Sequence, residues 1–225
     1  MVDIYYIILV VPTLLLSMYA QYLVTTTFAK YSKVASKKGI TGRQAAEYLM
    51  YSNKINDVKI QAIQGSLTDH YDPSAKVLRL SQPVYGQTSI AAIGVAAHET
   101  GHAIQHKTGY GPLVLRSSLV PLANIGSGAG PMLAILGIIL GYGLLINIGL
   151  ILFGCAVLFY LVTLPVEMDA SARAIKILRS SGTLNEEELA GVKKVLTAAA
   201  MTYVASALTA VANLARFILL SKRRR

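Results

Sequence analysis

The stretch His98-Glu99-Thr100-Gly101-His102 has residue types and spacing suited to bond-breaking chemistry. Residues four apart on a helix lie one turn above each other on the same face, so the imidazoles of His98 and His102 can converge on one metal ion, and zinc suits such a pair. Glu99, next to the first imidazole, then points toward the remaining coordination position, where a water of lowered pKa needs a general base. Three fixed positions in five residues arise by chance on many helices. The flanks sharpen the reading, because Ala96, Ala97, Ala103 and Ile104 are small or apolar, and burying three titratable groups among them without a metal would be costly. The competing reading is a pair of solvated or structurally bonded histidines beside a surface carboxylate.

A hydrolytic zinc site needs a third protein ligand. Cys155 is the single cysteine, so histidines and carboxylates must supply it. His106 continues the four-residue spacing, but one helix carries it about 12 Å from His98, beyond reach of a shared ion. The metzincin pattern would require a glycine at 105 and a histidine at 108, where this chain has Gln105 and Thr108. Glu167 and Asp169 remain, the first acidic residues after a long uncharged run. Glu167 is taken as the ligand and Asp169 as the partner orienting a ligating histidine, the reverse assignment staying open. A helix starting at Pro165 would put Glu167 in its first turn, so the bland alternative is a carboxylate favoured there by the helix dipole.

The elements that must position these groups follow from charge. Of the 225 residues 54% are hydrophobic and only 14% charged, where a soluble domain carries roughly 25% charged residues. The net charge of +10 fits an anionic lipid surface better than nucleic acid in so apolar a chain. Segments crossing lipid must satisfy their backbone internally as helices and carry few ions. Residues 4–24 form one such span, read as a signal anchor because Asp3 rather than a basic segment precedes it. Residues 117–166 hold no charge at all. They are too long for one crossing and predict a hairpin of spans 119–140 and 148–164, turning within Gly141 to Asn147. Residues 195–220, rich in small residues and carrying Asn213 and Arg216, form a fourth helix, transmembrane or interfacial.

Lys30, Lys33, Lys37, Lys38 and Arg43 follow the first span, which places residues 30–116 in the cytoplasm, and Arg173, Lys176 and Arg179 put residues 165–194 on the same side. A full crossing by 195–220 would leave Lys222 to Arg225 outside, against that rule. Within 30–116, Thr41 caps a short helix, and alternating stretches near 58–63, 67–71 and 77–80 predict a small antiparallel sheet. Small and apolar residues at helical spacing run from Ser89 to His106. The strand Lys76 to Leu80 is either an edge that holds an extended peptide or an interior strand. His70, Tyr71, Tyr110 and Arg173 are candidates for hydrogen-bonding an oxyanion, against the plainer reading of His70 as a turn histidine bonded to a neighbouring aspartate.

Four segments, Leu67-Thr68-Asp69-His70-Tyr71-Asp72-Pro73, Lys76 to Ser81, Ala96 to His106 and Pro165 to Ser171, resemble the YugP-type neutral zinc metallopeptidases of bacterial membranes. The resemblance covers nearly the whole chain. It implies a membrane-embedded gluzincin, more distantly similar to HtpX and the CAAX prenyl proteases, with one zinc per chain on His98, His102 and Glu167 and with Glu99 as base. Those relatives usually carry an aspartate four residues after the glutamate, whereas position 171 is Ser and the nearby acid is Asp169. The expectation is therefore a mainly α, polytopic membrane protein forming a single metallopeptidase domain. It has about four transmembrane helices and a small α+β zincin-like cytoplasmic region. It would be an endopeptidase of the bacterial inner membrane, its active site facing the cytoplasm, cleaving membrane-associated or unfolded proteins. Its partners are a protein or peptide substrate and the lipid bilayer but no nucleic acid, and a homo-oligomer or an adaptor is compatible with the sequence. The opposing reading, a membrane scaffold with a structural metal, is disfavoured because structural zinc closes all four positions with protein ligands and three are found here. A zinc transporter would need ligands inside the spans, which carry none.

Overall fold

Four helices of the described residues are long and apolar enough to cross a bilayer: Tyr6–Tyr31, Gly111–Leu140, Gly143–Ser180 and Glu186–Lys222. The computed structural model describes residues 3–223. A π-helical turn, Tyr6–Val10, leads into α1, Val11–Tyr31. The short helix α2 spans Gly42–Ser52, and the strands are β1 Lys59–Ile63, β2 His70–Asp72 and β3 Val77–Ser81. Helices α3 Gln82–Tyr85, α4 Ile90–Lys107, α5 Gly111–Leu140, α6 Gly143–Ser180 and α7 Glu186–Arg223 complete the chain. The protein is mainly α with one three-stranded sheet, and its long apolar helices mark it as a membrane protein.

These elements form two compact units, one from Met1–Gln21, Gly111–Pro165 and Met201–Arg225, the other from Tyr22–Tyr110 and Val166–Ala200. In the first unit α5 ends at Gly141, whose φ of +69° is cheap only for glycine, and Tyr142 N–H donates to the Gly137 carbonyl at 2.9 Å. That cap turns the chain straight into α6. The two helices approach closely along small residues: a Cβ on Gly130 would lie 2.7 Å from Phe153 N, and one on Gly137 2.6 Å from Ile146 N. Backbone contact of this kind drives helix association in lipid, where apolar side chains alone give no preference for a neighbour. Outward-facing Leu15, Met18, Met132, Ile139 and Ile151 are exposed, as a lipid-facing surface requires.

Arg216 is buried in the same unit and its guanidinium donates to Asp3 Oδ2 from Nε at 2.9 Å and Nη2 at 2.6 Å, while packing over the rings of Tyr6 and Phe217. The one cation in the expected 195–220 span is thus paired, as a buried charge among apolar helices must be. The contact also sets the end of α7 beside the start of α1. Lys222 therefore lies at the same end of these helices as Asp3; Arg224 and Arg225 lie outside the described residues.

The helices run longer than the spans that hydropathy marks. At 38 residues α6 is about 57 Å long, nearly twice the hydrocarbon thickness. An apolar span and a polar, acid-bearing extension therefore belong to one continuous helical segment. This corrects the expected helix start at Pro165. Pro165 lies inside α6, because a segment that begins in lipid keeps its backbone self-satisfied through a proline rather than unwinding. Glu167 consequently sits in mid-helix, and the first-turn dipole explanation for it falls away.

In the second unit α2 begins with a capping box, Thr41 Oγ1 accepting from Gln44 N and Gln44 Oε1 from Thr41 N. The sheet is ordered β1-β3-β2, with β1 parallel and β2 antiparallel to β3. The all-antiparallel expectation is corrected here, and β3 is the central strand rather than an edge. Its burial is nearly continuous, as a strand covered on both faces requires. The carboxylate of Asp69 fixes the crossover by accepting from Ser81 N at 2.7 Å and Ser81 Oγ at 2.9 Å, and burial pushes its pKa above the usual aspartate value. Asp72 Oδ1 accepts from Ser74 N and Ala75 N and so folds the β2–β3 turn. Helix α4 starts at the Ser89 cap and is buried on almost every side. One side packs with Leu49, Leu178 and Val192, the other with Leu78, Leu80 and Val84. A helix enclosed all round must be built of small residues, which is why its sequence runs Ala91-Ala92-Ile93-Gly94 before the histidines.

Candidate metal centre

Helix α4 brings His98 and His102 edge to face, ring centroids 4.8 Å apart, and α6 lays Glu167 across them. Glu167 Oε2 is 3.2 Å from His98 Nε2 and 3.5 Å from His102 Nε2. The three ligating atoms lie within 4.8 Å of one another, and Glu167 is only 3% exposed. Two imidazole nitrogens and a carboxylate oxygen converging in a buried pocket are the donor set of a catalytic zinc site with one position left for substrate or water. No other group of three such ligands occurs among the described residues.

Each imidazole is held by its second nitrogen. His102 Nδ1 lies 3.0 Å from Gln105 Oε1, and His98 Nδ1 lies 3.1 Å from Ser171 Oγ. With Nδ1–H donated to these oxygens, both Nε2 lone pairs face the centre. Gln105, fully buried, donates from Nε2 to the Val166 carbonyl and to Asp169 Oδ2, each at 2.8 Å. Arg173 Nε donates to the same Asp169 oxygen at 2.5 Å, and its guanidinium lies over the Tyr110 ring. The chain of contacts thus runs Arg173, Asp169, Gln105, His102. Asp169 reaches the imidazole through Gln105 and not directly, and Ser171, four residues past Glu167, is the partner of His98.

Burial disfavours a charged His102, but the carboxylates of Glu167 and Glu99 outweigh it and hold the imidazole above the usual histidine pKa. A metal entering the centre displaces that proton. Glu99, one residue past His98, is 7% exposed, and no hydrogen bond or ion pair to its carboxylate occurs among the described residues. Its oxygens remain available to accept a proton.

The approach of α4 to α6 depends on Gly101. A Cβ there would stand 2.6 Å from the Ala170 carbonyl oxygen, and backbone on both sides prevents an easy retreat. Gly101→Ala is expected to destabilise the fold by about 1–3 kcal/mol, the usual range for overpacking, and to weaken zinc binding by displacing Glu167 from the histidines. Denaturant unfolding and zinc titration of the purified variant measure both.

His70 is not part of this group. It lies on the edge strand β2, exposed, with Nδ1 2.8 Å from the Thr68 carbonyl and Nε2 3.1 Å from Arg79 Nη1, so its partners are not the neighbouring aspartates. Tyr71 Oη bonds His106 Nδ1 at 2.7 Å, and His106 stays outside the three-ligand group. The sequence reading passed over Gln105 and Ser171 as centre residues. The available signals were spacing alone: Gln105 three residues past His102, and Ser171 four past Glu167.

A membrane helix bundle carrying a buried two-histidine, one-carboxylate centre defines a membrane metallopeptidase. Over residues 6–222 the chain matches, and belongs to, the family described as "Putative neutral zinc metallopeptidase". It is 48% identical over 215 residues, 96% of each chain, to the "Putative membrane protease YugP" of Bacillus subtilis (strain 168). No solved structure matches it. The protein is thus a zinc-dependent protease of a membrane, acting on peptide bonds.

Proposed function

We propose that this chain is a gluzincin-type endopeptidase of the bacterial inner membrane that cleaves membrane-associated or unfolded proteins at the cytoplasmic face. One zinc ion would be held by His98, His102 and Glu167. The observation that carries the reading is the convergence of those three ligating atoms beside a buried Glu99 whose carboxylate makes no hydrogen bond among the described residues. When bound, zinc supplies Lewis acidity toward a scissile carbonyl and lowers the pKa of a water molecule. Glu99 takes the proton from the attacking water and later delivers it to the leaving amine. Ser171 and Gln105 hold the imidazoles in the ligating tautomer, and Asp169 with Arg173 holds Gln105. Main-chain pairing of an extended substrate would fall to an edge strand of the sheet, β1 or β2, since β3 is interior.

Hydrolysis of an unfolded, casein-type substrate by the detergent-purified protein tests the activity. Removal of zinc by a chelator should abolish cleavage, and added zinc should restore it; chelator-resistant cleavage would refute the reading. The orientation rests on the lysines and arginines that flank the spans. Reporter fusions after Lys38 and after Arg179 should both read as cytoplasmic, and an external signal at either point would overturn it.

A further inference from the structure

Within the second unit the last turns of α1 and the first turns of α7 run antiparallel and leave a groove of about 540 Å³ between them. The ring of Tyr31 sits where a Cβ on Gly191 would come within 2.8 Å, which fixes the end of α1 beside the early part of α7. Leu23, Thr27 and Tyr31, one and two turns apart on α1, supply one wall; Ala190, Thr197 and Ala198 supply the other. Apart from its lysines the α7 wall is made of short side chains, so the helices leave an open groove instead of a packed seam.

Three lysines line this groove: Lys30 from α1, and Lys193 and Lys194 from α7. None is paired with a carboxylate among the described residues. Of the three acids in the first turn of α7, Glu186 pairs with Arg179 at 2.9 Å and Glu188 accepts from the backbone N–H groups of Lys37 and Asn185, while Glu187 forms no ion pair with the three lysines among the described residues. A second groove on the other side of Lys193 adds Lys176, likewise without a carboxylate partner. Because the helices are antiparallel, both pass from cation to apolar wall in the same direction: from Lys30 back to Leu23 on α1, and from Lys193 and Lys194 on to Thr197 and Ala198 on α7.

A cationic mouth leading into an apolar channel, on two helices apolar enough to cross a bilayer, has the charge and polarity profile of a phospholipid. We propose that this groove binds one anionic phospholipid, its phosphate held by Lys30, Lys193 and Lys194 and an acyl chain lying along Leu23, Thr197 and Ala198. A free anion would satisfy the lysines but leave the channel uncovered, and a zwitterionic lipid would fill the channel but bring no net charge to three clustered cations.

The test is native mass spectrometry of the full chain in a neutral detergent, titrated with phosphatidylglycerol or with phosphatidylcholine of the same acyl chains, and with glycerol phosphate as a soluble competitor. One phosphatidylglycerol should be retained at concentrations where phosphatidylcholine is not, and glycerol phosphate should not displace it. The triple variant Lys30→Gln, Lys193→Gln, Lys194→Gln should lose that preference, at roughly fivefold per lysine and about a hundredfold in total. Ala190→Leu, which fills the groove and leaves its charge intact, should also weaken phosphatidylglycerol binding. Zinc stoichiometry, read in the same spectra, shows that the variants remain folded. Equal binding of the two lipids by the unaltered chain, persistence of the preference in the triple variant, or displacement of the lipid by glycerol phosphate would each overturn the proposal.

Discussion

Glu99→Gln is expected to retain zinc and to lose proteolysis by at least about 10²-fold, the scale for removal of a general base. The substitution keeps volume and polarity but removes the negative charge and with it the capacity to accept a proton. His98, His102 and Glu167, which converge without it, are left in place. The helix makes the division of labour unavoidable: residues 98 and 102 share a face, and residue 99 is rotated to its side. His98→Ala or His102→Ala should instead release the metal. Metal analysis and casein-type hydrolysis of the same purified samples separate the two outcomes. Full activity in Glu99→Gln would remove the assigned base and with it the proposed mechanism.

The second large effect is expected at the third ligand. Glu167→Gln removes the anionic donor that lies against both imidazoles, and zinc affinity should fall further than for any change in the surrounding shell. Asp169→Asn should weaken zinc binding by the roughly 10–100-fold typical of an outer partner, because Asp169 reaches His102 only through Gln105. Gln105→Leu should give an effect of the same order, since it breaks that path while preserving bulk. His106→Ala should leave zinc stoichiometry unchanged, its ring being engaged with Tyr71. Competitive zinc titration ranks the variants. If His106→Ala strips the metal and Glu167→Gln does not, the gluzincin assignment fails.

Features that depend on local spacing and on the exclusion of charge from lipid were legible in the residues alone. The four-residue interval of His98 and His102 dictated a shared helical face, and the charge-free run from Ser117 to Val166 dictated a hairpin, its turn expected within Gly141 to Asn147 and found between Leu140 and Gly143. Thr41 and Ser89 marked two helix starts because a side-chain oxygen there satisfies an otherwise unpaired N–H. Elimination left Glu167 and Asp169 as third-ligand candidates, and the family resemblance implied Glu167. What tertiary structure alone decided are matters of long-range pairing. The parallel register of β1 with β3, and with it the interior position of β3, follows from a crossover that Asp69 pins to Ser81, and strand pattern carries no record of such a partner. The passage of α6 through Pro165 reflects a backbone that starts in lipid and must stay self-satisfied. Gln105 and Ser171 have ordinary side chains at ordinary helical positions, and only the approach of α4 to α6 at Gly101 and Ala170 turns them into the partners that aim two imidazoles.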